Sequence, residues 1–190
     1  MTRAALALAC ALAASAAQAG GYMVLQPPDD TSTLSLKQAG RTIRAPKTEH
    51  EQEGFWQPRV SADGRTVGWV AETANCCTSY PLPTVLVLYR GGKVIRRFPE
   101  VPPIWEWQFG PGPDEVVTRQ AYPHGQEYFT YSRLRISDGK LLAQFECNQD
   151  EPVKAVRPAW ARIVEEDCPD YMPPPPEESA SAPDGAASSR

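Results

Sequence analysis

The sequence predicts an all-β chain: two four-stranded antiparallel, blade-like meanders packed as a small sandwich or partial propeller and stapled by disulfides. Three observations carry this expectation. Asp63-Gly64, Gly91-Gly92 and Asp138-Gly139 are turn dipeptides that tolerate positive φ, and each is flanked by alternating apolar and polar residues. The same succession of strands and turns runs twice between Trp56 and Glu146. Four cysteines, Cys76, Cys77, Cys147 and Cys168, stand outside the N-terminal leader, an even number that suits paired sulfur.

The leader is residues 1–19. Thr2-Arg3 precedes an apolar run from Ala4 to Ala14, and Ala17-Gln18-Ala19 supplies small residues at the exit. That is the pattern of a secretory signal peptide cut after Ala19, too short to cross a bilayer. Cys10 lies inside it, with Ala7 where lipid attachment calls for a larger apolar residue. No later stretch reaches the roughly 18 consecutive apolar residues of a membrane helix, so the sequence predicts a periplasmic or secreted product with no integral membrane segment after cleavage. Lys and Arg total 19 against 23 Asp and Glu, without basic blocks, which disfavours nucleic acid as a partner.

Residues 20–54 are polar, hold Pro27-Pro28-Asp29-Asp30 and keep neither a period of two nor one of 3.6. They read as an extended arm with one short strand near Tyr22–Leu25, and Leu34, Leu36 and Ile43 are the residues that would pin it to a core. The β domain is expected over 55–168. In its first repeat, 56–98, Gln57–Ser61 leads into the Asp63-Gly64 turn and Thr66–Glu72 returns, with Val67, Trp69 and Ala71 on one face. Thr84–Tyr89 is apolar on both faces and so belongs in a sheet interior, while the more polar Lys93–Phe98 suits an edge.

In the second repeat, 104–146, the strands are Ile104–Gly110, Glu115–Tyr122, Glu127–Ile136 and Lys140–Glu146. Val67 falls on Val116 at a spacing of 49, and Gly92, Lys93 and Phe98 fall on Gly139, Lys140 and Phe145 at a spacing of 47. The closing segment 150–168 is ambiguous, because Pro158 would break a helix begun at Pro152. Pro158-Ala159-Trp160-Ala161 echoes Pro58-Arg59-Val60-Ser61, so a strand through Ile163 is the expectation. Residues 169–190, rich in Pro, Ala and Ser, lack the apolar content to bury a core and are expected to be disordered.

The cysteines admit three connectivities. A ring between adjacent residues is strained, so the favoured arrangement sends each of Cys76 and Cys77 to one of Cys147 and Cys168. Such bridges close loops of roughly 70 to 90 residues and would each stabilise by about 4 kcal/mol through lost chain entropy. The alternative, Cys76 bonded to Cys77, would point to thiol-disulfide or redox-sensing work.

Val60-Ser61-Ala62-Asp63-Gly64-Arg65-Thr66-Val67-Gly68-Trp69 resembles the opening of a TolB-like β-propeller repeat, in which a hydrophobic residue, Ser, Pro, Asp, Gly and a basic residue precede an apolar strand. Ala62 stands in place of the Pro. The second copy, Phe109-Gly110-Pro111-Gly112-Pro113-Asp114, carries an inserted Gly-Pro and no Ser. The resemblance covers Trp56–Glu146 and implies blade-like sheets; such repeats serve enzymes, scaffolds and receptors alike, so it implies no one activity. Two blades fall short of the four to eight of a closed ring, so the sheets pack face to face, copies associate, or the chain docks beside a partner; the first is favoured because two packed sheets bury both apolar faces.

Candidate chemistry is sparse. In Trp105-Glu106-Trp107-Gln108-Phe109 the alternation puts three aromatics on one strand face, either a core face or a platform for sugars or peptides. Tyr122, His124 and Tyr128, with Tyr131, gather around one loop and form a candidate polar pocket. His50 and His124 are the only imidazole bases, and no Gly-x-Ser-x-Gly elbow is present. His50, Asp150-Glu151 and Glu165-Glu166-Asp167 lack metal-ligand spacing. No catalytic residue, metal or cofactor is assigned. The functional expectation is an exported non-enzymatic β module that binds a protein or cell-envelope component, with a redox protein using Cys76-Cys77 or a small carbohydrate or peptide binder as alternatives.

Overall fold

The computed structural model describes residues 20–27, 30–148 and 156–164. The expected leader, the 169–190 tail and Cys168 lie outside the described residues. Eleven strands form three antiparallel sheets among these residues. β1 (Met23–Leu25), β2 (Ser35–Gln38) and β3 (Arg41–Arg44) make an N-terminal sheet in that order. β4 (Gln52–Val60), β5 (Val67–Thr73), β6 (Leu82–Arg90) and β7 (Lys93–Pro99) make the first four-stranded meander. β8 (Ile104–Phe109), β9 (Glu115–Tyr122), β10 (Gly125–Arg135) and β11 (Leu141–Asn148) make the second.

The predicted meanders and their order therefore stand, and their registers match. Val67 lies opposite Val60 and Tyr89 in the first sheet, as Val116 lies opposite Phe109 and Leu134 in the second. The Asp63-Gly64 turn is wider than a two-residue hairpin, because Ser61 closes it. Ser61 Oγ accepts from Thr66 N–H (2.9 Å), and Asp63 Oδ1 accepts from Arg65 N–H (3.0 Å). Gly64 sits at φ +71°, a left-handed conformation that favours glycine.

The sheets stack in series around three apolar clusters. Val67, Trp69 and Ala71 of β5, with Val85, Val87 and Tyr89 of β6, face the N-terminal sheet through Tyr22, Leu34 and Leu36. Their neighbours Val70, Leu86 and Leu88 turn the other way and meet Ile104, Trp107, Val116 and Leu134 of the second sheet. The outer face of the second sheet, with Val117, Ala121, Phe129 and Tyr131, is covered by Trp160, Ala161 and Val164. Each meander thus turns the equivalent face of its second strand toward the layer before it: residues 67, 69 and 71 in one and Val116 in the other.

At Gly68 the two meanders meet closely. A Cβ there would sit 2.5 Å from Trp107 Cη2 and 2.7 Å from Leu88 Cδ2, so the absent side chain is the seat of the indole. Trp107 Nε1–H donates to Gln57 O (3.0 Å), Arg59 Nη2 to Glu106 Oε1 (2.7 Å) and Gln57 Nε2 to Glu106 Oε2 (3.0 Å), so polar links also cross this interface.

Four expectations are corrected. Residues 20–54, expected as an extended arm with one short strand, hold that strand as β1 and two more, β2 and β3, which complete a sheet, while residues 52–54 already belong to β4. Ala39 and Gly40, at φ 48° and 78°, close the β2–β3 hairpin, and Leu34 and Leu36 are fully buried while Ile43 stays at the surface. The expected strand through Ile163 is instead an irregular segment with one 3-10 turn, Ala161–Ile163, in which Ala161 N–H donates to Pro158 O (2.9 Å). Trp105, Trp107 and Phe109 do not share a face, because Ile104 and Glu106 lie opposite the consecutive residues Gln120 and Arg119. Trp105 is the extra residue of that bulge and turns to the outer cluster while Trp107 and Phe109 turn inward. Finally, Cys76 and Cys77 lie at disulfide distance from each other. Cys147 is buried and disulfide-bonded.

Bulges are spread over all four outermost strands of the meanders. β4 has two register shifts, and β7, β8 and β11 have one each, at Ile95, Trp105 and Leu142.

Candidate binding surface

The antiparallel meanders send their connections to two opposite ends. At one end lie the turns 61–66, 91–92, 110–114 and 136–140. Between them is a cleft of about 300 Å³ lined by Ser61, Asp63, Thr66, Arg90, Phe109 and Pro111, among others. Arg90 Nε donates to Thr66 Oγ1 (2.8 Å). The Ser61 hydroxyl, then the Arg65 backbone N–H and side chain, hold the Asp63 carboxyl far below the usual range. Arg96 Nε closes the back of this end by donating to Ile136 O (2.7 Å).

At the other end lie the 74–81 loop, the 100–103 link and the turn at Pro123-His124. The link is tied to β9: Ala121 N–H donates to Pro103 O (3.2 Å) and Gln120 Nε2 to Glu100 Oε2 (2.9 Å). Burial pushes the Glu100 carboxyl up, and the Gln120 hydrogen bond opposes that shift. Four exposed large side chains lie at this end, Val101 (85%), Tyr122 (57%), Tyr80 (42%) and Tyr128 (41%); Met23 of β1 and Leu141 at the start of β11 are exposed as well. His124 is exposed beside them. A hydrogen bond with Glu146, followed by burial, raises the Tyr128 phenol above its ordinary value.

Of the residues singled out in the sequence, Tyr122, His124 and Tyr128 thus come together at one end. Tyr131 does not join them; it is fully buried. Trp107 is fully buried as well and has no face left for a ligand. Trp105 is partly buried against the outer cluster, its Nε1–H given to Ala121 O (2.9 Å). Cys76 and Cys77 are exposed in the 74–81 loop at the same end as the tyrosines. Tyr80 and Val101, at the same end, were not singled out in the sequence. A valine before two prolines, in a link between two strands, was the available signal. The cleft, which two turns distant in sequence build together, was not singled out either.

No protein-family model matches the chain, and no curated protein matches it. Function therefore rests on the geometry of these two ends. Among the described residues no helix is long and apolar enough to cross a membrane.

Proposed function

We propose that the protein is an exported, non-enzymatic binding module that takes a protein partner of the cell envelope on the end bearing Tyr80, Val101, Tyr122, His124 and Tyr128. One observation carries this reading: four large apolar or aromatic side chains stand between 41% and 85% exposed at one end, while Trp69, Trp107 and Tyr131 are consumed by the core. Tyrosine supplies wide amphipathic contact area at a small entropy cost, and it is enriched among residues that dominate interface energies. The leader-like residues 1–19 support export, as does oxidised sulfur, which persists in oxidising compartments.

The test is capture of envelope proteins by the full-length chain, followed by affinity measurement on the captured partner. Tyr122→Ala combined with Tyr128→Ala should weaken binding by at least about tenfold, the loss expected from removing interface anchors. Arg90→Ala, in the cleft at the opposite end, should leave binding unchanged. Equal loss in both variants, or full retention in the tyrosine variant, would overturn the assignment.

A further inference from the structure

We propose that the Cys76–Cys77 bridge is a thiol-exchange site, a reversible two-electron couple that a dithiol partner reduces while the fold stays intact. A disulfide stabilises by closing a loop in the unfolded chain, and the gain grows with loop length. This one joins neighbours at a sequence separation of 1, so it removes almost no chain entropy and staples no two elements together. Cys147 contrasts with it: it is oxidised too, but 3% exposed and packed among Phe129, Tyr131 and Ala161.

Access is the second observation. Both Cys76 and Cys77 are exposed on the loop between β5 and β6, and exchange needs an incoming thiolate to reach a sulfur. The loop is held without the sulfur bond. Asn75 Oδ1 accepts from Cys77 N–H (2.9 Å) and Thr78 N–H (2.8 Å). Asn75 Nδ2 donates to Thr78 Oγ1 (2.7 Å) and Tyr80 O (3.0 Å). One side chain thus braces both sides of the loop, so opening the bridge leaves its ends in place.

The chemistry balances with one dithiol. A thiolate of the partner attacks one cysteine sulfur, the Cys76–Cys77 bond breaks, and the other cysteine leaves with the electron pair. The partner's second thiolate then attacks its own sulfur in the mixed disulfide and expels the first cysteine. The two cysteine thiolates take up two protons, leaving the partner oxidised by two electrons and Cys76 and Cys77 reduced by two. This site works whether or not the tyrosine end binds a partner.

The full-length oxidised protein is treated, without denaturant, with a small molar excess of dithiothreitol, then alkylated and mapped by mass. Cys76 and Cys77 should be labelled at least about tenfold faster than Cys147, as expected for exposed against buried sulfur. The thermal midpoint of the selectively reduced protein should stay within about 3 °C of the oxidised one. The Cys76→Ser, Cys77→Ser double variant should show the same midpoint. Labelling of Cys147 at the same rate, resistance of Cys76 and Cys77 until the fold melts, or a fall in midpoint of more than about 5 °C on their selective reduction would overturn the proposal.

Discussion

The two four-stranded meanders share connectivity and register, yet their second strands are built differently. In the first, β5 reads Val67-Gly68-Trp69-Val70-Ala71 and is buried on both faces by other sheets. In the second, β9 reads Val116-Val117-Thr118-Arg119-Gln120, and all five residues are also buried. The difference lies in what covers the far face. β5 has a whole sheet on each side, whereas β9 has a sheet on one side and the short 156–164 segment on the other. Polar groups in β9 meet aromatic faces and amides: Arg119 Cζ stands 5.3 Å from the Phe129 ring centroid, and Ser132 Oγ donates to Gln120 Oε1 (3.2 Å). A repeat can therefore keep its pairing while the chemistry of its faces follows its neighbours.

The largest effect should come from the apolar copy. Trp69 is fully buried between sheets, and Trp69→Ala should cost about 3–5 kcal/mol in urea unfolding, the range for a truncated core aromatic. A loss near that of a surface residue would mean that the N-terminal sheet does not cover β5 in solution.

A smaller effect should appear in the pH dependence, with opposite signs in the two meanders. Burial raises the Glu72 carboxyl in the first, partly opposed by the Thr31 hydroxyl. A raised folded value means that its contribution is fully present below the ordinary carboxylate range and is lost as pH rises through the raised value. The Arg133 side chain holds Glu115 in the second below its ordinary value, through hydrogen bonds of 2.9 and 2.7 Å. Its contribution is present above the ordinary range and is lost as pH falls through the lowered value. Thermal melts between about pH 3 and 8 should show Glu72→Gln melting higher than wild type near neutrality and Glu115→Gln melting lower. Both differences should fade toward acid, and changes of the same sign would break the contrast.

The smallest effect belongs to the counterpart of Trp69. Thr118 is fully buried, and among the described residues its hydroxyl finds no hydrogen-bond partner. Thr118→Val should therefore be neutral or stabilising, within about 1 kcal/mol, since it deletes an unsatisfied polar group at nearly constant volume. A clear destabilisation in urea would show that the hydroxyl is engaged.

These contrasts also mark how much could be read from residues alone. The eight meander strands were legible because Asp-Gly and Gly-Gly punctuation and period-two alternation are local signals. β9, which does not alternate, was legible from the Gly112-Pro113-Asp114 turn before it and from the match of Val116 to Val67. The bulge at Trp105 was not, because one extra residue shifts a strand by half its period and only the partner's register reveals it. Of the N-terminal sheet, β1 and the anchoring role of Leu34 and Leu36 were legible, whereas β2 and β3 were hidden by strands of four residues and by an Ala-Gly turn. Tyr122, His124 and Tyr128 were singled out by their clustering in sequence. Tyr80 and Val101 join them only through the way the sheets stack.

The irregular steps in β4, β7, β8 and β11 carry a consequence for life at high concentration. A flat outer strand offers its free amides and carbonyls to any passing chain, and a kinked one misaligns them after a few residues. Each outermost strand of the meanders has such a kink. Crowded molecules of this protein should accordingly stay apart along the borders of the two meanders instead of zipping into fibrils there.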